Sequence, residues 1–480
     1  MSDNNQEIPT TPAHDSVINK YQISADISNQ ALKIVLEAVK PGITSLELCN
    51  LGDETIAEKT SALFKKQKSL KKGLAWPTCV SVNNTICHYS PMKSYKNEGN
   101  ITIKNGDMVK VEVGAHIDGF PAFAAHTKVV GASAENPIKG RQADVMHAAY
   151  NAAQVTLRML KPGQVNREIT QIIQKTTKSF NCVPIQNMAS YNIEKDIVEG
   201  QKSILKNPNN EQLAAQQAAQ QKLAAQQAAA KAKKLASKKP SEAQLANLKI
   251  DGGSESSAPA AAGAAAPEKK QEEPKKEEEV QKPSEETKQP TTDGQEAFLG
   301  DKCTIDLNDV WTIDILATTG DGRVNPTTVK TSIYRVDPAV YNKVNLKNKS
   351  SRELLSKIQD NYGFMTFNLR QLEKDHKMAE IRVRRSLEEC IKSKVIAEFP
   401  VMKEKPDVYV AQFKYTVLVL NSGVLKVSGL DFDEKDLYQT EFSVTDEEVK
   451  KILATSISKK SKKRNNKKNK KKGEAVDATA

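Results

Sequence analysis

The stretch GDMVKVEVGAHIDGFPAFAAHTKVV, residues 106–130, decides how the chain folds. Val109, Val111 and Val113 alternate with Lys110 and Glu112, which is the period of a strand. Asp118-Gly119 is a preferred dipeptide for a two-residue hairpin turn, because both positions take a positive φ. A turn there fixes the register. Ile117 then faces Phe120, and Glu112 faces Ala125. Glu112 and Phe123 share one face as diagonal neighbours, about 7–8 Å apart at Cα. From spacing alone this is an ordinary hairpin.

Working outward, helices flank the hairpin. SADISNQALKIVLEAVKPGIT (24–44) offers Ser and Asp caps, apolar residues at helical spacing (Ala31, Ile34, Val35, Ala38, Val39) and Pro-Gly as a stop. A second helix, 45–66, follows, then strand-like TCVSVN (78–83). ADVMHAAYNAAQVTLRMLKPG (143–163) is another helix with the same Lys-Pro-Gly ending. The recurrence at 40–42 and 161–163 points to an internally repeated plan, although Lys-Pro-Gly is also simply a good helix terminator. CTIDLNDVWTIDILATTGDGR (303–323) returns to a strand pattern. YVAQFKYTVLVLNSGVLKVSG (409–429) reads as a hairpin turning at Asn-Ser-Gly.

Between these parts the composition collapses. Only 38% of the 480 residues are hydrophobic and 5% aromatic, and that deficit is local. EQLAAQQAAQQKLAAQQAAAKAKKLASKK (211–239) is helical by propensity but has few large apolar residues to bury. The Ala/Pro/Glu/Lys run 254–283 cannot build a core and is expected to be disordered. The domain reading is therefore a disordered leader, 1–18; the first part of the fold, 19–206; a low-complexity insertion, 207–298; the second part, 299–457, with a small helical subdomain at 351–395; and a disordered basic tail, 458–480. The formal net charge is +12, and the stretch 459–472 alone carries ten Lys or Arg and no acid. The basic character thus sits mainly in one tail, which favours a local polyanion contact over a basic fold. The six cysteines are scattered without a C-x-x-C pair, which reads as reduced thiols. A polar N-terminus and the lack of a long apolar run predict no secretory signal, no membrane span, and a soluble cytosolic or nuclear protein.

NNTICHYSP (83–91), KVEVGAHIDG (110–119), DVWTIDILATTGDG (309–322) and VAQFKYTVLVL (410–420) occur in one order, and in that order they resemble the motifs of type-2 methionine aminopeptidases. With FNC-x-PI (180–185) and YRVDP (334–338), the chain is more similar still to the proliferation-associated, curved-DNA-binding branch of that family. The resemblance covers roughly 370 of the 480 residues. It implies the pita-bread α/β (α+β) fold. The active family holds two divalent metals with two Asp, one His and two Glu. Carried across, the first Asp becomes Glu112 and the second falls at Phe123. The His falls at or beside Met188, the first Glu becomes Asp314 and the last becomes Lys414. Hard divalent ions want anionic oxygen or imidazole ligands. Phe123 and Met188 offer neither, and Lys414 brings the wrong sign. The resemblance thus implies a pseudoenzyme with no metal and no cofactor, in which Lys414 pairs with Glu112 or Asp314. A rebuilt site using Glu112, Asp314 and His116 or His126 is the alternative. His88 matches a substrate-contacting position of the active relatives, so it would line a vestigial pocket. A Cys87–His88 nucleophile is disfavoured, since adjacent strand residues point to opposite faces.

Two basic elements remain. The tail offers Lys459, Lys460, Lys462, Lys463, Arg464, Lys467, Lys468, Lys470, Lys471 and Lys472. Such an arm binds nucleic acid through charge, without base readout, or serves solubility. The cluster Lys65, Lys66, Lys68, Lys71 and Lys72 is a second RNA-binding candidate, or one solvated helix end. The resemblance implies ribosomal RNA and the large ribosomal subunit as partners. It also implies roles in ribosome biogenesis and growth control, in cytoplasm, nucleus and nucleolus. DNA or chromatin regulators are the other partner class, for a nuclear transcriptional coregulator. An active aminopeptidase is the third reading.

Overall fold

The computed structural model describes residues 9–94, 100–209, 212, 214, 289–290, 296–297, 301–376 and 380–457. Helices α1 (Asp15–Ala38) and α2 (Ser45–Ala62) precede strands β1 (Lys72–Val82) and β2 (Thr85–Cys87). The hairpin read from the sequence follows as β3 (Met108–Ile117) and β4 (Phe120–Val129). Asp118 and Gly119 have φ of 53° and 79°, as a two-residue hairpin turn of this kind needs. Ile117 stands opposite Phe120 and Glu112 opposite Ala125, so the register is the one read. Next come β5 (Ile138–Lys139), α3 (Arg141–Met159), α4 (Asn166–Lys178), β6 (Val183–Pro184), β7 (Ala189–Ile193) and β8 (Ser203–Leu205). The short pair β9 (Gln289–Pro290) and β10 (Glu296–Ala297) precedes β11 (Val310–Thr318). After β12 (Ile333–Val336), β13 (Phe367–Asn368), β14 (Ile396–Phe399) and β15 (Met402–Lys403) comes the second long hairpin, β16 (Val410–Leu420) and β17 (Gly423–Lys426). Strand β18 (Tyr438–Gln439) and a helix, Glu447–Leu453, complete the described chain.

The main sheet runs β1-β3-β4-β16-β11-β7-β8. One of its faces packs on α3 and α4 through Trp311, Ile313, Ile315, Phe413 and Tyr415, beside Ala149, Ala153, Ile169 and Ile173. Val109, Val111 and Val113 pack on α1 and α2 through Leu32, Val35 and Ile56. Helices therefore cover the long strands on one face, and the other face carries the polar residues of the site.

Both Lys-Pro-Gly tripeptides prove to be structural equivalents. The Gly42 amide donates to Ile103 O at 2.9 Å, and the Gly163 amide donates to Ile305 O at 2.8 Å. Ile103 N returns to Ile43 O at 2.8 Å, and Ile305 N returns to Gln164 O at 2.9 Å. Further on, Val130 N donates to Asp107 O and Val419 N to Asp309 O, both at 2.9 Å. Counting from these matched pairs, Glu112 and Asp314 are equivalent positions, and so are Ala125 and Lys414. The two halves meet where Lys414 lies opposite Ala125, on the junction of β16 with β4.

Several boundaries move. Residues 1–8 lie outside the described ones, but α1 begins at Asp15, inside the expected leader, and Val17 is fully buried. Ser24 and Ser28 are not caps. They sit inside α1 and lie 2.9 Å from the carbonyl oxygens of Phe120 and Ala122 on β4. Their hydroxyls satisfy sheet groups that a hydrophobic helix face would leave bare. The chain divides into Met1–Asn209 with Gln289–Ala480, and Asn210–Lys288, so the inserted unit is shorter than 207–298. Almost all of that unit, and the whole tail 459–472, lie outside the described residues.

The subdomain is wider than 351–395 and not purely helical. Helices Lys349–Tyr362, Leu369–His376 and Glu380–Lys392 pack on a three-stranded sheet of order β13-β12-β14. Leu354, Ile358, Phe367, Leu372 and Leu387 form its core. Arg370 fastens it to α2 and to the segment after β2. One guanidinium nitrogen donates to Asp53 Oδ2 at 2.8 Å, and another donates to Pro91 O at 2.7 Å.

If the chain from Asp15 onward is part of the fold, Val17→Ala should lower stability by about 2 kcal/mol, the scale for opening a small core cavity. Urea unfolding measures it. An unchanged midpoint would return residues 15–18 to a leader.

Candidate functional site

Lys414 is 8% exposed, Asp314 7% and Glu112 2%. The register places Lys414 directly opposite Asp314 across β11 and β16. Its ammonium bonds Asp314 Oδ2 at 2.9 Å and also bonds Glu112 Oε1. One cation thus holds two buried carboxylates that come from equivalent positions of the repeat. Gln412 Nε2 donates to Asp314 Oδ1 at 2.9 Å. The Lys414 ammonium lies 5.4 Å from the Trp76 ring and 5.9 Å from that of Phe123, over their faces. A weakly solvated ammonium gains from such contacts.

The electrostatics follow from this packing. Burial alone would lift the Asp314 carboxyl. The charge of Lys414, that of Lys206 and the bonds from Gln412 and Lys414 together hold it below its ordinary value. Burial alone would lower Lys414, but Asp314 and Glu112 outweigh it and raise the ammonium well above its ordinary value. Lys414 is therefore a cation at every physiological pH.

The remaining candidates are placed as follows. Phe123 sits beside the triad, diagonal to Glu112. Met188 is half-buried against Ile86, Cys87, Ile185 and Leu316, and its carbonyl accepts from Lys206 N at 3.2 Å. Neither alternative histidine joins the triad. His126 stands opposite Val111, on the other face of the sheet, and packs on Phe413 at 5.0 Å. His116 shares the face of Glu112 but lies about 13 Å further along the strand, where its Nδ1 accepts from Gly119 N at 3.3 Å. Burial pushes both imidazoles down to about 4, so both are neutral. His88 has a positive φ of 63° and bonds Pro400 O through Nδ1 at 3.0 Å. Its ring lies against Trp76 and Phe399, at 5.5 and 5.7 Å. Burial lowers its pKa. The His88 ring is half-buried and packs against these neighbours at the position where the sequence places a vestigial pocket. Hollows of about 340 and 280 Å³ lie elsewhere, one against the helix Glu447–Leu453 and one in the subdomain. Cys87 is buried, and burial with the nearby Glu112 and Asp314 charges pushes its thiol well up, away from a nucleophile.

Of the basic cluster, Lys65, Lys66, Lys68 and Lys71 are exposed in the turn region after α2. Lys72 is half-buried, and its ammonium bonds Leu63 O at the end of α2. The ten basic tail residues lie outside the described chain. Sequence reasoning missed Gln412, Lys206 and Lys110. Gln412 was accessible, because it lies two residues before Lys414 and must share its face. Lys206 was not. It leaves β8 without a motif, yet it is 1% exposed, and burial pushes it down to about 7 despite the nearby Asp314. Lys110 is equally buried, donates to Asn83 O at 2.9 Å, and is also pushed to about 7 by burial.

The donor set does not fit a divalent metal ion. The carboxylates of Glu112 and Asp314 are spanned by an ammonium, and Phe123 adds no donor. Placing a divalent ion about 4 Å from that ammonium costs on the order of 8 kcal/mol at an effective dielectric near 20. Removing the ammonium should be severe, because it strands two buried carboxylates. Lys414→Met is expected to lower stability by about 3–5 kcal/mol at neutral pH. The pH dependence has a definite sign. The lowered Asp314 value gives a contribution that is complete above about pH 4 and fades as pH falls through that value. The raised Lys414 value gives one that is complete below about pH 10 and fades only at higher pH. The difference between wild type and variant, read by urea unfolding, should therefore be largest near neutrality and shrink in acid. A deficit independent of pH would argue against charge as its origin.

Similarity to known proteins agrees with this fold. The profile of metallopeptidase family M24 matches residues 19–239. ErbB-3 binding protein 1 of Arabidopsis thaliana is 31% identical over 96% of this chain and 92% of its own length. The curved DNA-binding protein of Schizosaccharomyces pombe is 27% identical over 92% of this chain and 90% of its own. The solved structure of a thermophilic Arx1 has a TM-score of 0.68 at 23% identity, covering 93% of this chain and 99% of that one, which bears on the fold. Near-complete overlap with these relatives, on a pita-bread sheet whose two halves repeat, means that the chain belongs to metallopeptidase family M24, in the branch of ErbB-3 binding protein 1 and the curved DNA-binding protein.

Proposed function

We propose that this chain is a non-catalytic member of its family that acts by binding RNA and the large ribosomal subunit. The observation that carries the loss of catalysis is the Lys414 ammonium bonded to both Glu112 and Asp314. On this reading the five positions Glu112, Phe123, Met188, Asp314 and Lys414 are a degenerate metal site. An ammonium fixed between the carboxylates takes the place of the ion that would activate water. The sheet then survives as a scaffold, and function moves to its surface.

For nucleic acid the support is charge. Lys65, Lys66, Lys68 and Lys71 are solvent-exposed together. The tail adds ten cations within 459–472. Contacts of this kind read the phosphate backbone and position the protein without specifying sequence. The ribosomal preference rests on the family resemblance, as does a place in cytoplasm, nucleus and nucleolus. A second reading is a nuclear DNA-binding coregulator. It is favoured by the name of the Schizosaccharomyces pombe relative, a curved DNA-binding protein.

Co-sedimentation of the full chain with ribosomal subunits across a salt series, with bent duplex DNA as competitor, separates the readings. Saturable large-subunit binding that survives the competitor is expected, and loss to modest DNA would favour the coregulator. Deleting 459–480 should weaken RNA binding and flatten its salt slope, by roughly 0.7–0.9 for each phosphate that the tail no longer neutralises, while Tm stays nearly constant. Incubation with cobalt, manganese or iron should give neither stoichiometric metal nor methionine release from a peptide. Finding both would restore the enzyme.

A further inference from the structure

The link that returns from the subdomain to the main sheet runs from Phe399 to Lys405 and meets β1 at Trp76 and β2 at Cys87. Phe399 ends β14 and packs on Trp76 with ring centroids 4.9 Å apart. Pro400 O receives the His88 bond already described. Met402 pairs with Cys87 in a two-residue ladder whose register slips at once, before Lys403. Lys403 O accepts from Asn325 N at 2.7 Å. Glu404 exchanges two bonds with Asn84: its amide donates to Asn84 O at 2.9 Å, and Asn84 Nδ2 donates to its carbonyl at 2.8 Å. This segment packs on Trp76 and His88, and the Trp76 ring in turn lies against the Lys414 ammonium.

Its far end has a peculiar anchor. Glu404 is 2% exposed and points its carboxylate into the Gly320-Asp321-Gly322 turn after β11. Gly322 N donates to Glu404 Oε1 at 2.7 Å. A Cβ at Gly320 would collide with both carboxylate oxygens, so only glycine leaves room for this seat. The second oxygen, Oε2, is buried and has no hydrogen-bond partner among the described residues. The charged groups beside it are Asp321 and Lys405, and these bond each other across 3.8 Å at the surface. Burial raises the Glu404 carboxyl above its ordinary value, and the Gly322 amide with the neighbouring Thr318 hydroxyl only partly offsets this. A buried acid with one unmatched oxygen is a costly seat compared with a fully bonded one. The ladder beside it is two residues long. Both features put the segment at the low-stability end of local opening.

We propose that Phe399–Lys405 is a releasable strap, seated by Glu404 in the Gly320–Gly322 cradle, whose release opens the cleft above Lys414. Because the strap continues from β14 of the subdomain, displacement of the subdomain would lift it. Arg370 would then limit the motion from the other side through Asp53 and Pro91. Release uncovers Cys87, which is 1% exposed beneath Met402, and so Cys87 reports it.

The test uses the full chain and a small aromatic disulfide, with labelling of each cysteine followed by mass spectrometry. Glu404→Ala should raise Cys87 labelling about tenfold, the equivalent of ~1.4 kcal/mol in opening free energy. Cys49 and Cys182, buried in other parts of the core, should stay at wild-type rates. Glu404→Gln keeps an acceptor for Gly322 N and should remain close to wild type. An unchanged Cys87 rate in Glu404→Ala overturns the proposal. A parallel rise at all buried cysteines also overturns it, since the strap would then be an inseparable part of the core. If Glu404→Ala does not fold, Gly320→Ala expels the carboxylate with the side chain intact, and the same two criteria apply.

Discussion

One ammonium group, that of Lys414, fixes the centre of this molecule. It is buried, it lies on the junction between the two repeated halves, and it bonds a carboxylate from each. An uncompensated buried charge is far more costly than a paired one. Glu112, Asp314 and Lys414 must therefore be held together or lost together. The register of β3, β4, β16 and β11 has to deliver all three to one point. A slip of one residue in β3 would turn Glu112 toward the apolar layer of α1 and α2, and a slip in β11 or β16 would turn Asp314 or Lys414 toward that of α3 and α4. The sheet's geometry and the triad's electrostatics thus enforce each other. The arrangement is also asymmetric in an instructive way. Glu112 and Asp314 occupy equivalent positions of the two repeats, while the position equivalent to Lys414 holds Ala125.

Much of this was legible in the chain, and the reasons are local. Asp118-Gly119 names its own turn, and with the turn comes the register that places Glu112 against Ala125. The pairing of Lys414 with a carboxylate followed from the sign of its charge and the family resemblance. That it would engage Glu112 and Asp314 at once did not, because only the strand order brings them within reach. The twin Lys-Pro-Gly endings were visible, but their equivalence depends on hydrogen bonds to Ile103 and Ile305. Where the reading failed, tertiary contacts had overridden local signals. Ser24 looked like a helix cap, yet α1 runs through it, because its hydroxyl has a partner on β4. Residues 1–18 read as a disordered leader, yet Val17 reaches the core. Lys206, at the end of a short strand, and Lys110, alternating with valines on β3, were passed over, since a lysine in either setting reads as a solvated one. The small sheet of the subdomain was missed because its strands are two to four residues long.

The subdomain also changes how the cleft is understood. Arg370, Asp53, Ser90 and Pro91 tie it to the start of the sheet, while Phe399–Lys405 carries the chain back across the face that holds Lys414. The CHYSP segment is in this light a junction. Cys87 pairs with the strap, His88 bonds its carbonyl, and Ser90 and Pro91 receive Arg370. A segment that resembles part of a substrate site here bonds the protein's own side chains and backbone.

The distance in sequence between the partners of the triad has a consequence for how the protein comes into being. Glu112 leaves the peptidyl transferase centre roughly 300 residues before Lys414, with the inserted unit made in between. At about 5–20 residues per second this is a wait of roughly 15–60 s. During that time the β3–β4 hairpin can form, but its β4 edge has no neighbour and Glu112 has no counter-ion. A carboxylate left hydrated one strand in from that bare edge opposes premature burial of this face of the sheet, because burying an unpaired charge is costly. The late arrival of Lys414 then both neutralises the charge and closes the sheet, so the last long strand to be synthesised is the one that commits the nascent chain to its native topology.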